Sequence, residues 1–114
     1  MPFDNNQYET IYCHAVLHLF NKEQRRNILV NCYNQLANNG HMIFTVISKE
    51  AVTYGQGKEI SKDRFEQFEV VKIFFYDECA INNEFRQYGL KEIKRVQENC
   101  PFYLIHCYKN SNNL

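Results

Sequence analysis

The spacing of hydrophobic positions changes along the chain, and the changes mark out its elements. Tyr8 to Cys13 (Tyr-Glu-Thr-Ile-Tyr-Cys) is a short β-rich run that follows the turn-like Asp4-Asn5-Asn6. It is too short for a helix and mostly apolar, which predicts a strand covered on both faces. His14 to Phe20 then reads as a loop or short turn. Asn21 can cap a helix, with Gln24 placed to complete a capping box. Ile28, Leu29, Cys32, Tyr33 and Leu36 follow at helical spacing as one apolar stripe, and Asn38-Asn39-Gly40 supplies a left-handed residue to stop it. His41 to Ser48, with Met-Ile-Phe-Thr-Val-Ile inside it, predicts a second buried strand. Strand, helix, turn and strand make a right-handed parallel crossover.

Lys49 to Gln67 is polar, contains Tyr54-Gly55-Gln56-Gly57, and is long for a connection in a compact domain. Such a segment is expected to be functional or mobile. Val70 to Phe75 is a short extended run. Asp77 caps a second helix with Ile81, Phe85 and Tyr88 on one face, and Gly89 ends it. Leu90, Ile93 and Val96 recur every three residues, a pattern open to helix or strand. The break at Glu98-Asn99-Cys100-Pro101 before the apolar run Phe102–Tyr108 favours an antiparallel hairpin. The expected organisation is one domain over residues 1–109 with a frayed tail at 110–114.

Composition narrows the function. Of the 114 residues, 45% are hydrophobic, with 8 Tyr and 9 Phe, enough to furnish a core. Basic and acidic residues balance at 13 each, which gives no electrostatic footprint for nucleic acid or an anionic membrane. The five cysteines are odd in number and form no CxxC pair, which argues against a disulfide framework or zinc ribbon and suits a reducing cytoplasm. No leader or membrane-length apolar run is evident, so a cytoplasmic, soluble protein is expected.

Laid end to end, the pieces resemble the second half of the class I S-adenosylmethionine-dependent methyltransferase fold. Phe3-Asp4 through Tyr8-Glu9-Thr10-Ile11 resembles that family's entry to its fourth strand, with Glu9 where Asp is usual. Cys13 to Phe20 resembles its post-strand segment. Leu36-Ala37-Asn38-Asn39-Gly40-His41-Met42-Ile43 resembles its "LkpGG.li" turn into the fifth strand, with Asn38-Asn39 for Lys-Pro and His41 for the second Gly. Ile73 to Asp77, then Phe85 and Gly89-Leu90, resembles its later helix and closing hairpin. The resemblance implies an α/β, partial Rossmann-like sheet: a parallel strand-helix-strand unit, a helix and a C-terminal antiparallel hairpin, lacking the first three strands. In the family's numbering the expected strand order is 4-5-7-6.

The family's Gly-rich turn and ribose-binding carboxylate have no counterpart. Gly55-Gln56-Gly57 has a similar spacing but lies in the polar segment after the second crossover strand. The resemblance implies S-adenosylmethionine as cofactor and a small molecule as methyl acceptor, with turnover not expected from this chain alone. It places His14 and Ala15 toward the cofactor, with His18, Tyr54 and Gln56 toward the substrate. The simpler alternatives are loop histidines satisfied by backbone and a solvated loop at Tyr54 and Gln56. His14 and His18, spaced four apart, lack a third ligand for a metal. Methyl transfer needs alignment more than covalent help, so no residue is singled out as the catalyst. Phe74, Phe75 and Tyr76 read as core, and Lys22, Glu23, Arg25 and Arg26 as the charged outer face of the first helix. The open strand edge near Tyr8–Cys13 predicts a homodimer or a complementing N-terminal polypeptide. A second reading is a non-catalytic remnant that acts as a dimerising or partner-binding module, and a third is an unrelated small α/β binding domain.

Overall fold

The computed structural model describes residues 7–68, 70–97 and 100–110. The turn read at Asp4–Asn6, the break at Glu98-Asn99 and the last four residues lie outside them. Strand β1 (Tyr8–His14) is followed by a 3-10 turn at Leu17–Leu19, helix α1 (Lys22–Gln35) and strand β2 (Leu36–Ile47). The capping box forms as its residue types require. Gln24 N–H donates to Asn21 Oδ1 at 2.8 Å, and Asn21 N–H donates to Gln24 Oε1 at 3.1 Å. The expected left-handed stop at Asn38-Asn39-Gly40 does not end the helix: α1 stops at Gln35 on an extended Leu36. Asn39, at φ 66°, lies inside β2, where Tyr108 donates its hydroxyl to Asn39 Oδ1 at 2.9 Å. β2 begins five residues before the predicted start, because Leu36 already pairs with Tyr8.

β1 and β2 are parallel, with Ile11 opposite Met42 and Cys13 opposite Phe44. The segment read as a loop is instead largely structured. β3 (Lys58–Ser61), β4 (Arg64–Gln67) and β5 (Val71–Phe74) form a separate antiparallel sheet in the order β3-β4-β5. Its small core holds Phe65, Ile73 and Phe75 against Ile47 and Ala51. Asp77 caps α2 (Glu78–Phe85) through Ala80 N–H at 2.8 Å. A 3-10 turn at Arg86–Tyr88 ends on Gly89, at φ 75°. The ambiguous segment is a strand, β6 (Leu90–Gln97), paired antiparallel with β7 (Pro101–Tyr108). The larger sheet runs β1-β2-β7-β6, the order 4-5-7-6 that the resemblance implies.

One face of that sheet carries the core. Cys13, Met42, Phe44, Val46, Ile105 and Cys107 pack with Leu29 and Cys32 of α1 and Ile81 and Phe85 of α2. The opposite face overturns the expectation that β1 is covered on both sides. Tyr12 is 61% exposed, His14 is exposed, and His41, His106 and Tyr108 are only half-buried there. His41 Nδ1 and His106 Nε2 lie 2.7 Å apart, so one ring donates to the other and at least one is neutral. Phe75 and Tyr76 are buried as read, whereas Phe74 is half-buried.

Gly89 joins α2 to the closing hairpin under a double constraint. Its φ is left-handed, and a Cβ there would sit 2.2 Å from the Tyr108 carbonyl oxygen. Gly55 is also left-handed, at φ 86°, but a Cβ would meet nothing within 4 Å. Gly89→Ala is therefore expected to lose about 2–4 kcal/mol of stability, against about 1 kcal/mol for Gly55→Ala. Urea unfolding of the two variants measures both; equal losses would mean that the Tyr108 contact is not rigid.

Candidate functional site

β1 ends opposite Thr45, near the C-terminal end of β2, and this junction builds the turn after β1. Ala15 adopts a left-handed φ of 55°. Its N–H reaches both the carbonyl and the hydroxyl oxygen of Thr45, each at 3.0 Å. Thr45 Oγ1 also lies 2.6 Å from His14 Nδ1, so one β2 side chain fixes the turn and the first histidine together. His14 lines an apolar cleft of about 500 Å³ with Tyr12, Cys13 and Val16 on one side and Asn27 and Ile28 of α1 on the other.

His18 points elsewhere. It is 6% exposed, and its Nδ1 accepts the Ile47 N–H at 3.1 Å, which leaves the ring proton on Nε2. Burial, with a smaller push from His14, lowers its pKa to about 4, so the ring is neutral at neutral pH. The Phe102 ring stands 6.0 Å from that of His14 and 6.1 Å from that of His18, but Phe102, His18 and Ala15 do not line the cleft. Tyr54 and Gln56 are not brought to this cleft. The Tyr54 hydroxyl donates to Asp63 Oδ1 at 2.7 Å, and Gln56 Nε2 donates to the Val52 carbonyl at 3.0 Å.

The structure assembles a charged network that the sequence did not reveal. Arg25, read as part of the outer face of α1, is 3% exposed. Its Nε and Nη2 donate to Glu84 at 3.2 and 3.0 Å, and its Nη1 donates to the Phe20 carbonyl at 2.8 Å. The guanidinium carbon lies 3.9 Å from the Phe74 ring centroid. Tyr76 donates its hydroxyl to the same carboxylate at 2.8 Å; burial, then the Glu84 charge, holds that phenol well above its ordinary pKa. Lys49 sits between two carboxylates, 2.7 Å from Asp77 and 2.9 Å from Asp63. The hydrogen bond from Lys49 holds the Asp77 carboxyl below its usual value, helped by the Ala80 N–H. Arg25 and Glu84 are 59 positions apart, a pairing that no local signal could announce.

The sign of the His18 contribution follows from its lowered pKa. Unfolded, the ring takes a proton near 6.5; folded, it does so only near 4. The unfolded state binds more protons in that window, so the contribution is intact above about pH 6.5 and is lost as pH falls toward 4. The loss is about 3 kcal/mol by linkage. His18→Asn is expected to flatten the fall in unfolding free energy between pH 7 and 4.5; an unchanged slope would mean the ring is not held neutral.

No family model matches the sequence, and no curated protein is similar to it. Solved structures are similar in fold. A 1,6-didemethyltoxoflavin-N1-methyltransferase from Burkholderia thailandensis, solved with 1,6-didemethyltoxoflavin and S-adenosylhomocysteine, is 12% identical at a TM-score of 0.74. The match covers 95% of this chain and 46% of that one. A methyltransferase from Methanosarcina mazei is 10% identical at 0.72, over 96% of this chain and 63% of its own. One from Clostridium acetobutylicum is 11% identical at 0.71, over 97% and 62%. The chain thus spans 46–63% of the length of these three proteins. Over nearly its whole length, this chain is similar in fold to part of an S-adenosylmethionine-dependent methyltransferase.

Proposed function

We propose that this chain serves methyl transfer from S-adenosylmethionine to a small molecule, with the His14 cleft as its share of the site, and that it turns over only when another polypeptide completes the sheet along β1. The observation that carries the reading is the placement of an apolar cleft of about 500 Å³ at the C-terminal end of β1, in a fold like that of enzymes solved with S-adenosylhomocysteine. Ligands of open α/β sheets collect at such strand ends.

The lining fits one part of the cofactor. Cys13, Leu17 and Ile28 offer an apolar wall, and the Asn27 amide and Tyr12 hydroxyl offer hydrogen bonds. Among the described residues no carboxylate lines the cleft, so on this reading the partner to the ribose hydroxyls comes from elsewhere. When bound, the sulfonium supplies an already activated methyl group. The work left to these residues is alignment and exclusion of water. His14, held by Thr45, is part of the wall, and Ala15, held by the same residue, fixes the turn behind it without lining the cleft. His18, neutral and fixed by Ile47, does not line the cleft and serves the packing behind the turn. Tyr54 and Gln56 are tied to Asp63 and Val52, so the cleft's own lining carries the proposal.

β1 pairs with β2 alone among the described residues and stands at the sheet's edge. That edge suits a second copy or a complementing N-terminal polypeptide. It also favours the second reading, a non-catalytic module that associates through the same edge. Light scattering is expected to give the mass of a dimer, and calorimetry saturable binding of S-adenosylhomocysteine at micromolar concentration. A well-folded dimer that binds none would overturn the enzymatic reading and leave the module.

A further inference from the structure

On the other side of α1 lies a second cleft, of about 430 Å³, between the three-stranded sheet and the first turns of α1 and α2. It shares no lining residue with the His14 cleft. We propose that it binds a small organic anion, a carboxylate or phosphate monoester on an apolar body.

Charge is the first argument. Five cations line the cleft, Lys22, Arg25, Lys49, Lys62 and Arg64, against three carboxylates, Asp63, Asp77 and Glu84. The carboxylates are already committed: Lys49 bridges Asp63 and Asp77, and Arg25 holds Glu84. Lys22, Lys62 and Arg64 are left without an ion pair among the described residues. In a chain whose formal charge is zero, this is a local surplus and not a general excess.

Arg64 gives the second. Its Nε is buried without a hydrogen-bond partner, one of only two such side-chain atoms among the described residues. Buried donors are nearly always satisfied, and a charged one left alone is costly. An anion that draws the guanidinium into the cleft supplies the acceptor, and a planar guanidinium suits carboxylate or phosphate oxygens equally. The third argument is shape. Phe74 and Ala80 give an apolar wall beside the charges, and the half-buried Phe74 ring is stiffened by Arg25 on its face. Cations beside an apolar wall select an amphipathic small molecule over a bare ion. Lys49 and Arg25 offset two of the three carboxylate charges, and Lys22, Lys62 and Arg64 outweigh the third, so the lining as a whole stays cationic.

The test uses the full chain with phenyl phosphate and benzoate as probes and benzyl alcohol as the neutral control, followed by amide shifts in NMR titrations. At least one anion is expected to saturate, with shifts gathered at Ser61–Arg64 and Cys79–Ala80, and benzyl alcohol to bind at least tenfold more weakly. Tighter phenyl phosphate would point to a phosphate ester, tighter benzoate to a carboxylate. Arg64→Met is expected to weaken the better probe at least fivefold, and Arg95→Met, which removes the exposed partner of Glu50, to change it less than twofold. If Arg64→Met melts early, Lys22→Ala with Lys62→Ala carries the same expectation on the surface. Absence of saturation by either anion, shifts gathered elsewhere, or equal loss in the Arg64 and Arg95 variants would overturn the proposal.

Discussion

Strand β2 is hydrogen-bonded to β1 on one side and to β7 on the other, so its register sets both neighbours at once. A slip of one residue would turn Met42, Phe44 and Val46 out of the core, which makes any other register costly. The remaining groups of the strand are committed as well. Thr45 ties down Ala15 and His14, and the Ile47 N–H takes His18. Beyond it, the Tyr76 N–H donates to the Ile47 carbonyl at 3.0 Å, and Ser48 forms a parallel bridge with Tyr76. The turn after β1 and the approach to α2 therefore hang from the same few residues of one strand. That is why the His14 cleft has a defined wall although it lies at the sheet's edge.

The buried pair Arg25–Glu84 places a second constraint on the fold. A charge removed from water is tolerated only with close partners, and a guanidinium asks for several. Arg25 finds a bidentate carboxylate, a carbonyl and an aromatic face, drawn from α1, α2 and the residues around them. Replacement of such pairs by apolar groups is often neutral for stability, so the pair is better understood through orientation. It fixes how α2 sits against the start of α1, and with that the width of the cationic cleft.

Legibility in the sequence followed the range of the interaction. The capping box at Asn21 and Gln24, the stripe at Leu29 and Cys32, and the Asp77 cap are local and were read correctly. Leu90, Ile93 and Val96 fit two periods, and only pairing with β7 decides for strand. The second sheet was hidden because every residue of β3 is exposed, so it shows no alternation, and because the turn after it uses Asp63 at φ 62° in place of glycine. For the candidate site, His14 and its turn were visible through the resemblance. Lys49, Asp63, Asp77 and Arg64 come together only through the packing of that unforeseen sheet.

Parallel strands are normally buried on both faces, because the helices of their crossovers cover them. Here β1 and β2 are parallel, yet among the described residues α1 and α2 both pack against the face that holds Met42 and Phe44. The other face reads Thr10, Tyr12 and His14 on β1 and His41, Ile43 and Thr45 on β2, a mixture in which Ile43 alone is aliphatic. That composition tolerates water on an antiparallel sheet, but it is unusual beside a parallel pair. Among the described residues, edge and face are open together at β1, and a chain that adds a strand at the edge would also bring cover for Tyr12 and His14. Under the proposed assembly, one event would pair that edge and cover that face beside the His14 cleft. On the proposed reading, assembly at this edge, rather than any single side chain, is the step on which activity at that cleft would turn.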